Sequence, residues 1–277
     1  MKLGLIDYYL DEFHANNYPE WIAKASGGEI TAAYAYAKID SPIGGMTTGE
    51  WCDKYGITRI DSISELVAMS DGIIVLSPDN PEQHEELCEL PLKSGKRVYV
   101  DKTFAPTKEI AQKIFGLADT YKTPCWSASA LRFAAEYGGI DRGRAVNVSS
   151  WGPGPLDAYS IHQIEPIVAI MGPDIARVQF TGTAKWPAYI CEYADGRRAA
   201  VAHHGWECPF TMTIGYSDET SETVTIESDF FDDFIKELTD FFRTGEVKVP
   251  HEDTIAVMAV REAAVRAAGV PGEWVAV

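Results

Sequence analysis

The first part of the chain alternates short apolar runs with longer amphipathic stretches. The runs are rich in β-branched and aromatic residues and are bounded by turn residues, which is typical of buried strands in a parallel sheet. Parallel neighbours need crossover connections, and helices usually supply them. The alternation therefore predicts a doubly wound α/β domain. We predict strands over residues 2–6, 30–37, 72–76 and 97–100, and helices over residues 81–93 and 107–121.

After about residue 123 the pattern changes to one helix followed by consecutive short strands. Turn signals such as Asp195-Gly196 separate some of the strands, and short connections favour antiparallel pairing. We therefore predict that residues 1–122 form the doubly wound domain and that residues 123–277 form an α+β domain with a large open, mainly antiparallel sheet. The predicted helices cover residues 157–171, 228–242 and 251–268, and the strands cover 176–181, 188–193, 199–204, 210–216 and 223–227.

The charge balance and the cysteines limit the class of partner. Lys and Arg number 24 and Asp and Glu number 41, which gives a net charge of −17. A chain this acidic repels phosphate backbones and anionic lipids, so we expect no nucleic-acid or membrane partner. No apolar stretch approaches the roughly 18 residues of a membrane span. The five scattered cysteines contain no CxxC pair, which favours reduced thiols and a cytoplasmic location.

The residues after the predicted strands are the first candidates for a site, because ligands of an open α/β sheet bind beyond the carboxyl ends of its strands. Lys102 follows the strand over residues 97–100 and is placed at the rim of a cleft, beside Asp101. From spacing alone, a solvated surface lysine is an equally good interpretation. The other strand-end candidates are Asp7, Tyr8 and Tyr9 after the first strand and Ser77, Pro78 and Asp79 after the third.

Three segments together resemble a known family. Residues 84–107 combine a helix, a Ser-Gly-Lys turn, a short strand and Asp101-Lys102-Thr103, and a threonine opens the next helix. In the helix over residues 157–171, His162 precedes Glu165 by three residues. Residues 230–253 and the last helix form a matching closing segment. In this order the segments resemble the Gfo/Idh/MocA family of oxidoreductases along nearly the whole chain.

The resemblance implies a Rossmann-like dinucleotide-binding domain over residues 1–122 and an α+β domain for substrate binding and oligomer contacts over residues 123–277. It also implies hydride transfer between NAD or NADP and a sugar, polyol or similar small hydroxy compound. A homo-oligomer, either a dimer or a tetramer, is expected.

The resemblance also assigns roles to single residues. Lys102 matches the family lysine that holds the reacting hydroxyl, and His162 matches the residue assigned as general base. Arg132 matches a substrate-binding arginine, and Asp157 and Glu165 are further substrate-binding candidates. The cofactor-binding candidates are Asp7, Tyr8, Tyr9, Ser77, Pro78, Asp79 and Asp101.

The turn after the first strand departs from the family pattern. The G-x-G-x-x-G motif lets backbone N–H groups approach a diphosphate, but residues 7–12 read DYYLDE and contain no glycine. Asp7, Asp11 and Glu12 place carboxylates where two phosphates would bind, and like charges repel. A second hypothesis is therefore a family member that binds no dinucleotide. It would be a ligand-binding or regulatory protein, or a non-redox acid/base enzyme using Lys102 and His162.

Tryptophans and histidines outside these motifs have two interpretations each. Trp151, Trp186 and Trp206 could form a stacking platform for a sugar ring, although sheet packing or an oligomer contact is the simpler interpretation. His14, near Asp11, could contribute to a cation site, although a solvated helix N-terminus is favoured. His203 and His204 are adjacent on a predicted strand and point to opposite faces, so we expect no shared metal.

Overall fold

A computed structural model describes the chain from residue 1 to residue 277. The chain divides into two compact units. One consists of residues 1–128 and 234–251, and the other consists of residues 129–233 and 252–277. The predicted domain boundary after residue 122 stays a prediction, and the compact units differ from it chiefly because residues 234–251 return to the first unit.

The first unit is built on six parallel strands in the order β3-β2-β1-β4-β5-β6. Its strands are β1 (Lys2–Asp7), β2 (Thr31–Ala37), β3 (Thr58–Arg59), β4 (Gly72–Val75), β5 (Arg97–Val100) and β6 (Cys125–Trp126). Its helices are α1 (Phe13–Ala25), α2 (Thr48–Tyr55), α3 (Ile63–Met69), α4 (His84–Lys93) and α5 (Lys108–Tyr121). The strand order reverses between β1 and β4, so their carboxyl ends form the topological switch point of the sheet, where ligands of such folds bind.

An aromatic cluster closes one side of the first unit. Helix α7 (Phe230–Thr244) contributes Phe234, Phe241 and Phe242, all fully buried. The Phe234 ring lies 5.5 Å from the Tyr99 ring, and Phe241 lies 5.9 Å from Trp126. The apolar stripe of this helix therefore packs in the core, as its helical spacing predicts.

The second unit contains a seven-stranded sheet in the order β12-β11-β7-β10-β9-β8-β13. Its strands are β7 (Ala145–Pro153), β8 (Ile175–Phe180), β9 (Ala188–Tyr193), β10 (Arg198–His204), β11 (Thr211–Tyr216), β12 (Ser221–Thr225) and β13 (Trp274–Ala276). Only the pair β7–β10 is parallel, and the other neighbours are antiparallel. Helices α6 (Leu156–Met171) and α8 (His251–Ala268) complete the elements.

The structure confirms the predicted fold class of a doubly wound parallel sheet followed by an α+β unit with a mainly antiparallel sheet. Strand β7 was not predicted, because its sequence AVNVSSWGP mixes valines with asparagine, serine and glycine, which favour strands weakly. The helix predicted over residues 81–93 begins as a 3₁₀ turn at Pro81–Gln83 and becomes α-helical at His84. None of the helices combines the length and the apolar character that a membrane crossing needs.

Candidate functional site

Asp7, the last residue of β1, is a buried carboxyl group at the switch point. Its side chain is 1% exposed. Its Oδ1 accepts a hydrogen bond from the Tyr8 backbone N–H at 2.6 Å, whereas Oδ2 is buried without a hydrogen-bond partner. Burial, together with the nearby Glu12, raises the pKa of Asp7 well above its usual range. The residue predicted to face a cofactor is therefore a desolvated acid.

Glu12 caps helix α1 with its own side chain. Its carboxylate accepts hydrogen bonds from the backbone N–H groups of His14, at 2.7 Å, and of Ala15. The side chain is buried, and burial raises its pKa to about 7. The N–H groups at a helix N-terminus are the usual donors to a bound phosphate. In this protein an internal carboxylate already accepts two of those hydrogen bonds.

Asp101, which follows β5, is the centre of a buried hydrogen-bond network. Its Oδ1 accepts from the Lys102 backbone N–H at 2.9 Å and from the Tyr99 hydroxyl at 3.2 Å, and its Oδ2 pairs with Nδ1 of His14. Burial alone would raise the pKa of Asp101, but the charge and hydrogen bond of His14 lower it overall. The His14 ring is in turn stacked on Tyr18, with centroids 4.9 Å apart. Asp101 is therefore an ionised carboxylate that fixes the backbone before Lys102.

Most of the predicted cofactor residues do meet at the switch point. Asp7, Tyr9, Glu12 and residues 77–80 line one small depression, which is too narrow to hold a water molecule. Tyr8 and Asp101 do not line this depression, and their predicted contact with a cofactor stays a prediction. The carboxylates here, the orphaned Asp7 oxygen and the Glu12 cap do not fit a dinucleotide diphosphate in its usual position at the start of α1.

His162 lies on α6 of the second unit with its ring held from several sides. The Ser129 hydroxyl and Nδ1 of His162 are 2.7 Å apart. The Tyr159 and Phe210 rings meet the imidazole edge-on, with centroids 5.0 Å and 5.9 Å away. A hydrogen bond at one ring nitrogen sets the orientation of the ring and assigns proton transfer to the other nitrogen. Ser129 therefore fixes the orientation of the His162 ring, and the role of His162 as general base stays a prediction.

The three predicted substrate-binding residues of this unit make ion pairs within it. Arg132 donates to Glu165 at 3.3 Å and to Asp253 at 2.5 Å, and both Arg132 and Glu165 are largely buried. Asp157 is exposed and accepts from Arg261 at 2.5 Å. Their roles in substrate binding stay predictions, since each charge already has a partner in the protein.

We expect Glu165 to make stability pH-dependent. Burial raises its pKa to about 7, against an ordinary value of 4.5, although Arg132 opposes the change. Between these values the folded chain holds a proton that the unfolded chain has lost, so Glu165 lowers the free energy of unfolding by on the order of 3 kcal/mol as pH rises from about 5 to about 8. The Glu165→Gln variant should lose this contribution and keep that of Glu12, whose pKa burial also raises to about 7. Urea unfolding at pH 5 and pH 8 measures the free energy of unfolding at the two ends of this range. The control is Glu273→Gln, which changes an exposed glutamate. The prediction is contradicted if the free energy of unfolding changes equally with pH in Glu165→Gln and in the native protein.

Sequence reasoning missed Glu12 as a helix cap, the pairing of His14 with Asp101, and the hydroxyl of Ser129. The available signal was weak: an acidic residue just before a helix suggests a charge near its positive end, but it does not show which N–H groups it contacts.

His84 is fully buried, with Nδ1 2.9 Å from the Phe104 carbonyl oxygen and Nε2 2.5 Å from that of Leu76. This contact supports packing of α4. No group of three or more His, Cys, Asp and Glu side chains is arranged to hold a metal ion.

No family model matches the sequence, and no curated protein does. Solved structures match its fold over almost the full length of both chains. GenD2 from gentamicin A biosynthesis, in complex with NAD, is 16% identical with a TM-score of 0.80, covering 100% of this chain and 96% of that one. Scyllo-inositol dehydrogenase from Lactobacillus casei, with bound NAD(H) and scyllo-inositol, is 14% identical with a TM-score of 0.78, covering 99% and 98%. Myo-inositol 2-dehydrogenase from Lactobacillus plantarum is 13% identical with a TM-score of 0.75, covering 100% and 99%. The resemblance found in the sequence is confirmed at the level of fold.

Proposed function

We propose that the protein is an oxidoreductase that transfers a hydride between NAD or NADP and a sugar, polyol or similar small hydroxy compound. The observation that carries the proposal is the end-to-end fold match to two inositol dehydrogenases, one solved with NAD(H), and to GenD2, solved with NAD. The fixed imidazole of His162 supports it, because oxidation of an alcohol needs a base for the hydroxyl proton.

The proposed roles of the protein's own groups are those that the family resemblance implies, and their chemistry is consistent with these roles. Lys102 holds the reacting hydroxyl, and its ammonium group stabilises the developing alkoxide. His162 accepts the hydroxyl proton at Nε2, and Ser129 keeps the ring oriented through Nδ1. Asp101 is a positioning residue, because it accepts the backbone N–H of Lys102.

In this proposal the diphosphate of the cofactor binds at an unusual position in the first unit. The turn after β1 does not fit a diphosphate, so the diphosphate must bind at other strand-end loops of the first unit. Residues 77–80, together with Lys102, are available for this contact. We assign no step of the reaction through the cofactor, since the usual cradle is closed by Glu12.

Titration calorimetry with NAD⁺, NADH, NADP⁺ and NADPH tests the proposal before any substrate is known. We expect at least one of the four to bind with a dissociation constant below about 1 mM, which corresponds to roughly 4 kcal/mol. A panel of polyols and sugars then identifies the hydroxy compound through nicotinamide reduction. No heat of binding with any of the four at millimolar concentration would reject the oxidoreductase.

A second candidate function is favoured by the Glu12 cap and the buried Asp7. The protein would bind no dinucleotide and would act either as a ligand-binding or regulatory protein or as an acid/base enzyme for isomerisation or elimination. The enzyme version predicts turnover without added nicotinamide and its loss in the Lys102→Ala variant. A nicotinamide that copurifies with the native protein would reject this candidate.

We also propose a cytoplasmic homo-oligomer, either a dimer or a tetramer, with a small-molecule substrate. The five cysteines are free thiols and four of them are buried, which suits a reducing compartment. Light scattering coupled to size-exclusion chromatography measures the oligomeric state, and a monomer at micromolar concentration would reject this part of the proposal.

A further inference from the structure

A cavity of about 590 Å³ opens at one end of the second unit's sheet. Its walls are the Trp186 loop between β8 and β9, Pro155 just before α6, the end of β10 at His204, and Trp206 in the chain that follows β10. Cavities of roughly 300–1,000 Å³ are the size that binds small molecules. Neither the proposed reaction nor the cofactor accounts for this cavity.

The two tryptophans in this cavity are exposed although they are large and apolar. Trp206 is 65% exposed and Trp186 is 49% exposed. Polar groups stand beside them: the His204 ring lies 6.1 Å from the Trp186 ring, and Lys185 Nζ lies 5.7 Å from its centroid. Flat apolar faces with a few polar groups at the edge match a ring compound that has C–H faces and hydroxyl edges.

The floor of the cavity is rigid. His203 is 1% exposed, its Nε2 lies 3.1 Å from the Ser160 hydroxyl, and its Nδ1 lies 3.1 Å from the Gly154 carbonyl oxygen. Gly154 has a φ of 84°, and a Cβ there would lie 2.5 Å from the Tyr159 ring. Glycine is therefore required where β7 turns into α6, and this close approach fixes Tyr159 against the backbone.

The loop over residues 205–210, between β10 and β11, contributes a wall of the cavity and also packs near the proposed general base. Trp206 meets the Tyr159 ring edge-on at 4.8 Å, and Tyr159 meets the His162 ring at 5.0 Å. Phe210, at the other end of the loop, lies 5.9 Å from His162. The Tyr159 ring therefore contacts both the exposed indole of Trp206 and the imidazole of His162, although neither Tyr159 nor His162 lines the cavity itself.

We propose that this cavity is a glycosyl-binding subsite, in which a pyranose ring stacks on Trp206 and Trp186 with its hydroxyls towards His204 and Lys185. The substrate is then a glycoside or disaccharide. One ring occupies the subsite, and the hydroxyl to be oxidised lies on the other part of the molecule, near His162. The position of the reacting hydroxyl rests on the proposed function, whereas the binding of a pyranose ring does not.

Ligand-detected NMR with the native protein tests the subsite directly. The probes are cellobiose, maltose, lactose and methyl β-glucopyranoside at tens of millimolar, with no nicotinamide present. We expect saturation transfer to the ring protons of at least one probe. The Trp206→Ala variant should weaken its binding by about tenfold or more, and Trp206→Phe should restore most of it. Tyr121→Ala, which removes an exposed aromatic ring of α5, is the matched control and should bind as the native protein does.

The outcomes separate this inference from the proposed function. Sugar binding without nicotinamide binding rejects the oxidoreductase and keeps the subsite. Nicotinamide binding with no transfer to any probe, or with equal binding by Trp206→Ala, rejects the subsite. A second copy of this chain could occupy the cavity instead of a sugar, and light scattering tests this. If the native protein binds no probe and Trp206→Ala has a lower molar mass than the native protein, the cavity is a contact between copies, which also overturns the inference.

Discussion

Replacing His162 by asparagine should lower kcat for the hydroxy compound by about 100- to 10,000-fold, the range expected when a general base is lost. Asparagine keeps a polar side chain of similar size near Ser129 but cannot take a proton. The single variant Lys102→Met should lower kcat by a comparable factor, because it removes the charge that stabilises the alkoxide. Steady-state nicotinamide reduction, with the compound identified by the polyol and sugar panel, measures both.

Two further variants make this prediction specific. Ser129→Ala keeps the base and loses only its orientation, so we expect a fall of about tenfold with a changed pH profile, which a purely structural residue would not give. Lys113→Met removes an exposed lysine of α5 that pairs with Glu85 and should leave kcat unchanged. If His162→Asn retained more than a tenth of native kcat while folding normally, His162 would not be the base.

The architecture was largely predictable because it depends on local patterns. Residues 98–100 read Val-Tyr-Val after Arg97 and are followed by charged residues, so the strand and the position of Lys102 at its end could both be predicted from the sequence. The helix over residues 251–268 was predicted with its observed limits. These elements require only periodicity and turn residues, which neighbouring residues determine.

The electrostatics of the site depend on pairs that are distant in the sequence. His14 and Asp101 are brought together because β1 and β5 both flank β4. Arg132 forms an ion pair with Asp253, which lies 121 residues further along the chain in the second unit. The family resemblance identified Arg132 and Asp101 as candidates for ligand binding, but it could not show that other side chains of the protein pair with their charges, since that requires the tertiary contacts.

We expect the Glu12 side chain to prevent anions from binding to the backbone N–H groups at the N-terminus of α1. In Glu12→Ala the backbone N–H groups of His14 and Ala15 lose their internal acceptor, and the buried carboxylate beside them is removed. The exposed helix N-terminus should then bind inorganic pyrophosphate, which stabilises the folded chain by about 1.4 kcal/mol at ten times its dissociation constant. The native protein should gain nothing from the same anion.

Urea unfolding with and without pyrophosphate at pH 8 measures this difference. At that pH most of the native Glu12 is ionised, since its pKa is about 7, so the contrast with the alanine variant is largest. Glu109→Ala, in the first turn of α5, is the matched control for losing an exposed acid near a helix start. Asp7→Asn combined with Glu12→Ala should bind the anion at least as tightly as Glu12→Ala alone, because residue 7 can then carry no negative charge beside the anion. Equal stabilisation of the native protein and both variants would mean that Glu12 does not block the site, and that a diphosphate can bind at the start of α1 after all.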